Sequence, residues 1–505
     1  MSARGRQGVT RREAILRSVA AAGALYAAGC GSPSAGGAGD SGSTLFSTWA
    51  DPGGDGVLAR SGGEALIHRA ELAPVAATGR TIATIAHLTD AHVLDASSPA
   101  RVTFLDRLGP PFQSTFRPQE ALSVQVLAGA VHALGALQPD LVLQGGDLID
   151  NAQANELAQG LAVLKGGQVR SGSGPGGYFG VQVAGNPDPF YYRPDLDAPR
   201  HPGLLAQAAK AFTSPGIRRA RCYPVLGDHD ILVAGEMPPS PQTQALAIGD
   251  EALWELPPGL RKPPGARLTQ GGSPDGPPDP GAVNALLDQA LAGPKVRVPP
   301  DSARRELLVP EVIGRLAPGH LGIIAGQTLD YTVEIADRLM IVVLDLARRQ
   351  GGSGGLVRAG QPAWLAGRLA AAAERQVVVF SHQSLESSEG GAQLLQLLDA
   401  HPQTIAAVSG HTHRNQIRAR RTRSGGYWQI STASLIDYPQ QVRTLRICET
   451  AGGGIAIQTW MLDHVFPGQL GQISRQLSYL DAQGGRPRGF AGRLEDRNAV
   501  LYLPR

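Results

Sequence analysis

Five short segments carry side chains that bind cations, and each follows an apolar run: Asp90-x-His92, Gly146-Asp147-x-x-Asp150, Gly227-Asp228-His229-Asp230, Ser381-His382 and Gly410-His411-x-His413. Asp and neutral His are oxygen and nitrogen ligands suited to Fe, Mn, Zn or Co, and the lack of thiolates among them argues against a structural cysteine-type zinc site. Seven of these side chains (Asp90, His92, Asp147, Asp228, His382, His411 and His413) are too many for one ion. Two ions that share one carboxylate would use them all. Each motif alone carries little weight, since Asp-x-His occurs by chance and Gly-Asp pairs are common in turns. Five in sequence, each at the end of an expected strand, are a different matter.

The elements that must position them are legible as short apolar runs. Ile82 to Leu88, Leu141 to Gln144, Cys222 to Leu226, Val377 to Phe380 and Ile405 to Val408 read as buried strands, each delivering polar side chains at its C-terminal end. Tyr331 to Ile335 and Met340 to Leu344 read as a hairpin, and Tyr427 to Ser431, Val442 to Ile447 and Ile455 to Trp460 as further strands. Helical patterns fall at Gln119 to Leu137, Pro362 to Ala373 and Leu394 to Ala400. Strands alternating with helices predict an α/β architecture, in which the carboxyl ends of the strands line one crevice where the five motifs can meet.

This set resembles the calcineurin-like metallophosphoesterase superfamily, whose signature runs D-x-H, G-D-x-x-D, G-N-H-(D/E), a lone His after a strand, and G-H-x-H. The resemblance covers roughly residues 82–462. It implies a two-sheet β-sandwich flanked by helices, a four-layer αββα arrangement. It also implies hydrolysis of a phosphomonoester or phosphodiester by a hydroxide held between two divalent or trivalent metal ions. Carried over, it assigns the first ion to Asp90, His92, Asp147 and His413. The second falls to Asp147 as bridge with Asp228, His382 and His411. His229 becomes a phosphate ligand or general acid, with Asp230 orienting it. Position 228 departs from the pattern, with Asp in place of Asn. That extra charge would tighten the second ion and reduce its Lewis acidity. Asp150, where the purple acid phosphatase branch has Tyr, disfavours that branch. Ser434 to Gln440 resembles a segment of an exported bacterial branch of the superfamily.

The 505 residues carry a formal net charge of +3, with 42% apolar and 18% charged residues, and the mean hydropathy is −0.10. These values exclude multi-span and fibrous classes, and a near-balanced charge gives no expectation of a nucleic-acid partner. Gly and Pro are abundant, and residues 164–200 and 256–300 read as two long insertions, lids or disordered loops. The rival reading of the whole chain is a catalytically degenerate exported binding lipoprotein that retains the fold. Ser381 and His382 cannot pair as nucleophile and base, because adjacent strand residues face opposite ways. Tyr191, Tyr192 and Arg193 would either stack on a substrate or anchor their loop. The arginines at 414, 418, 420, 421 and 423 would either meet an anionic surface or lie in a solvated hairpin turn. Cys222 and Cys448 would be either a disulfide or free thiols, and His87 and His464 read as packing groups.

Residues 1–30 read as an address. Thr10-Arg11-Arg12 to Leu16 resembles a twin-arginine export signal, and Ala27-Ala28-Gly29-Cys30 a lipoprotein cleavage box. Residues 31–78 read as a flexible tether and lead-in, 79–470 as the catalytic domain and 471–505 as a C-terminal extension. The chain is thus expected to be exported and held by a lipid on Cys30 at the outer face of the cytoplasmic membrane, acting on a small phosphoester.

Overall fold

The computed structural model describes residues 42–101, 103, 116–255, 257, 259–260, 276–277, 279–317, 328–335, 337–372, 374–484 and 489–504. Its main strands, in chain order, are β1 (Ile67–Arg69), β2 (Thr78–Leu88), β3 (Leu141–Gln144), β4 (Arg221–Pro224), β5 (Tyr331–Ile335), β6 (Leu339–Leu344), β7 (Gln376–Ser381), β8 (Thr404–Ser409), β9 (Gln416–Thr422), β10 (Gly425–Ser431), β11 (Gln441–Thr450), β12 (Ile455–Asp463) and β13 (Ala499–Leu503). A seven-stranded sheet has the order β1-β13-β12-β11-β2-β3-β4, and a six-stranded sheet the order β5-β6-β7-β8-β10-β9. Within them β2, β3 and β4 run parallel, as do β6, β7, β8 and β10. Parallel neighbours bring strand C-termini to one edge, and these are the ends that carry the motifs.

Alternation along each strand explains the layers. On β7, Val378 and Phe380 belong to the core cluster shared by both sheets, with Val408, Trp428, Leu445 and Ile457. Val377 and Val379 face the other way, against Leu365 and Leu369 of α3 (Gln361–Ala371) and Leu394 and Leu398 of α4 (Gly391–Asp399). Burying each such side chain contributes roughly 1.5–3 kcal/mol. Helices α1 (Ser123–Leu137) and α2 (Ala154–Lys165) join the shared core through Val124, Leu127, Leu157 and Val163. The result is the mixed α/β fold of two sheets and helices expected from the sequence. The stretch Glu120–Leu137 is long and apolar enough to cross a membrane, but 72% of it is buried in the fold.

The expected strands and helices form, with ends shifted by a few residues. Two further strands, β1 and β13, come from the segments read as lead-in and C-terminal extension, and they pair with each other in parallel inside the seven-stranded sheet. Of the arginine run, Arg418, Arg420 and Arg421 stand on a strand, β9, which pairs antiparallel with β10 through a hairpin turn that carries Arg423. Its Arg420 forms a two-bond ion pair with Asp399, and Arg421 donates to the Glu71 carbonyl. Cys222 and Cys448 form no disulfide with each other. They stand on β4 and β11 with β2 and β3 between them, beyond the roughly 7 Å Cα separation that a disulfide tolerates. Tyr191 is buried among Phe116 and Phe190 with its hydroxyl on Thr103, so it anchors the first insertion.

Candidate metal centre

The site lies at the C-terminal edge of both sheets. β2 delivers Asp90 and His92, β3 delivers Asp147, β4 leads to Asp228 and His229, β7 to His382, and β8 to His411 and His413. The turns that follow the strands are unusual. Ten non-glycine residues have a positive φ among the described residues, and five are Asp90, His92, Asp147, His411 and His413. Asp and His tolerate this left-handed region better than most residues, yet each such position still costs free energy and persists only where its surroundings over-determine it. Glycines admit the crowding. A Cβ on Gly146 would lie 2.4 Å from His382 Nδ1, on Gly227 2.1 Å from Asp147 Oδ1, and on Gly410 2.6 Å from Asp90 Oδ2.

Three overlapping groups of ligand atoms result among the described residues, one of them His92, Asp147 and His229, and the other two carrying the seven expected ligands. Asp147, Asp228, His382 and His411 form one, and Asp90, His92 and His413 the other, with the atoms of each group within 4.8 Å of one another. His382 Nε2 is 3.0 Å from Asp147 Oδ2 and 3.3 Å from Asp228 Oδ1. His411 Nδ1 is 3.4 Å from that same Asp228 oxygen. In the second group His413 Nε2 is 3.3 Å from Asp90 Oδ1 and 3.2 Å from His92 Nε2. Asp147 Oδ2 joins the groups, since it is also 3.7 Å from His92 Nε2. All seven residues expected as ligands therefore meet in one place.

The hydrogen bonds around this cluster show what it fits. His92 Nδ1 is 2.8 Å from Asp150 Oδ1, His413 Nδ1 is 2.6 Å from Asp437 Oδ2, and His382 Nδ1 is 2.8 Å from the Gly145 carbonyl. Those partners are acceptors, so this network assigns the Nδ1 nitrogens as donors and turns three Nε2 lone pairs inward. Lone pair then faces lone pair between His92 and His413, and between His382 and the two carboxylates. Among the described residues His382 Nε2 and Asp228 Oδ2 are buried without a hydrogen-bond partner. Such an arrangement is repulsive unless a cation or a proton stands among the atoms, and the donor set of carboxylates and imidazoles could hold metal ions.

Without ions, protons take that place. Burial opposes charge on His382, but Asp147 and Asp90 outweigh it and raise its pKa well above the usual value. In the same way Asp90 and Asp437 push His413 up to about 9 against the effect of burial. His92 is lowered by burial and by the neighbouring His229.

His229 sits beside the cluster. Its Nδ1 is 2.9 Å from the Asp150 carbonyl, and its Nε2 is 3.9 Å from Asp228 Oδ2. Burial works against its charge, but Asp147, Asp150 and Asp228 push it up to about 10. The expectation that Asp230 orients His229 is corrected here. The Asp230 carboxylate accepts the backbone N–H groups of Asp147, Leu148, Ile149 and Gly227, and so holds the turn that carries Asp147. Asp150 is the residue that orients His229, and it braces His92 as well.

Sequence reasoning passed over three supporting residues. Asp437 holds His413 and accepts from Arg117 Nε at 3.0 Å, while Gln383 donates to Asp228 Oδ1 at 2.8 Å. Asp437 lay in a segment singled out only for its family likeness, and Gln383 follows His382 directly. Arg117 had no signal beyond its place before Pro118. Of the other residues weighed, His87 is buried with Nδ1 on Thr432 Oγ1 and His464 is buried beside Gln440, both packing groups. Ser381 Oγ donates to the Gln383 carbonyl, apart from the His382 ring.

No protein-family model and no curated protein matches the chain. Among solved structures it is similar to a dimetal phosphatase from Danio rerio, with 13% identity and a TM-score of 0.38 over 76% of this chain and 100% of that one. It is also similar to the sulfate thiohydrolase SoxB of Thermus thermophilus in complex with glycerol (13% identity, TM-score 0.28, 80% and 60% covered) and to PhoD (10% identity, TM-score 0.28, 84% and 80% covered). At these values the likeness carries no functional argument, and the site is read from its own geometry.

Proposed function

We propose that the chain is a metal-dependent hydrolase of phosphomonoesters or phosphodiesters. The observation that carries this reading is the convergence of seven Asp and His side chains into two adjoining groups through Asp147, with three inward nitrogens fixed by outward hydrogen bonds. Asp90, His92, Asp147 and His413 would hold one ion. Asp147, Asp228, His382 and His411 would hold a second, each Fe, Mn, Zn or Co. Bound ions supply Lewis acidity toward phosphoryl oxygens and acidify water to a neutral-pH nucleophile.

The chain's own groups do the rest. Asp150 fixes the His229 ring with Nδ1–H on its carbonyl, which leaves Nε2 to hold the proton that a departing alkoxide needs. Asp230, through four backbone N–H bonds, keeps the Asp147 turn in the conformation that places its carboxylate between the groups. Hydrolysis of bis(p-nitrophenyl) phosphate and p-nitrophenyl phosphate by metal-repleted protein tests the reading. Turnover is expected, and Asp147→Asn should lower it by more than the roughly 10–100-fold typical of outer-shell partners. Equal turnover in the variant, or none in the parent, would remove it.

The same reading takes the substrate to be a small phosphoester and the protein to be exported. Residues 1–30, which include Cys30 and the segment expected to be an export signal, lie outside the described residues. A lipid on Cys30 would hold the protein at the outer face of the cytoplasmic membrane, and the mass of the mature N-terminus tests this. An unacylated terminus would dispose of the anchor.

A further inference from the structure

We infer that Gln383 is a positioning residue for the second ion, acting through Asp228, an inference that rests on the two-ion reading above. Gln383 is fully buried. Its Nε2 donates to Asp228 Oδ1 at 2.8 Å and to the Ser353 carbonyl at 3.0 Å. Both partners are acceptors, so the amide must turn its NH2 toward them. The opposite end is left bare, for Oε1 is buried with no hydrogen-bond partner among the described residues. A side chain held this way gives up one of its own bonds to serve the carboxylate. The turn carrying Ser353 is packed directly on it, since a Cβ on Gly355 would lie 2.9 Å from Gln383 Cβ.

Asp228 Oδ1 is the atom that His382 and His411 face at 3.3 and 3.4 Å. One N–H from Gln383 fixes the carboxylate rotamer that presents this oxygen to the group. The charge-assisted bond also draws off part of the negative charge that Asp adds over Asn at this position, and so moderates its repulsion with Asp147. Supporting hydrogen bonds of this kind set ligand orientation and metal affinity. Ser353 anchors the amide, so the second ion's affinity becomes tied to the 353–355 turn.

Calorimetric titration of the chelator-treated full chain with Mn2+ tests this on four proteins: the parent, Gln383→Met, Asp228→Ala and the double variant. Gln383→Met keeps the side-chain volume without the donor. Should it unfold, as read by circular dichroism, Gln383→Ala replaces it. The expected result is a loss of roughly 10–100-fold in affinity for one of two equivalents in Gln383→Met, and no added loss when the change is made on Asp228→Ala. An equal loss in both backgrounds would overturn the inference, because Gln383 would then act through packing and Ser353 alone. No loss in either background would overturn it too. A parent that takes up fewer than two equivalents would instead overturn the two-ion reading beneath it.

Discussion

At the scale of single residues, the histidines of the cluster are the sensitive groups. His413 is pushed up to about 9 and His229 to about 10 from an ordinary 6.5, so the ion-free folded chain binds protons that the unfolded chain releases. The stability they contribute is fully present below the unfolded pKa and is lost as pH rises through the folded values. The melting temperature of chelator-treated protein should therefore fall between about pH 6.5 and pH 10, by the equivalent of a few kcal/mol. A cation competes with the proton on His413 Nε2, so metal affinity should rise over the same window. Thermal unfolding across that range, with and without chelator, checks both signs. A flat or rising melting curve for the ion-free protein would contradict the geometry of the cluster.

At the scale of elements, strand ends and their glycines set the site. Gly146 has φ +93°, and a Cβ there would press on the His382 ring. Gly146→Ala should destabilise the chain by about 1–3 kcal/mol through backbone strain. It should weaken metal binding as well, because the ring must move off the Gly145 carbonyl. Denaturant unfolding and metal titration read the two effects, and an unchanged protein in both would refute the crowding. Strand legibility follows from the same physics. Runs such as Leu141 to Gln144 and Val377 to Phe380 are buried on both faces and read as near-continuous apolar segments, so they were visible in the sequence. β9 was not, because Arg418, Arg420 and Arg421 on an edge strand look like a solvated turn. β1 and β13 were missed for a different reason. Among the described residues β1 pairs only with β13, across more than four hundred residues of chain, and no local pattern announces such a partner.

At the scale of the whole molecule, the seven ligand-type residues were legible because their chemistry is written in residue type and order. Their supports were not. Asp437, Gln383 and Arg117 matter through one or two hydrogen bonds each to groups distant in sequence, and no pattern of residue types marks those bonds. Asp230 shows the converse: its place beside His229 suggested a partner, but the fold turns its carboxylate onto four backbone N–H groups. The account's central claim is that two cations sit side by side in this cluster. Titration of the chelator-treated chain with Mn2+, followed by electron paramagnetic resonance, tests it most directly. The account predicts two equivalents per chain with a spin-coupled signal. A single equivalent, or two that remain magnetically independent, would contradict it.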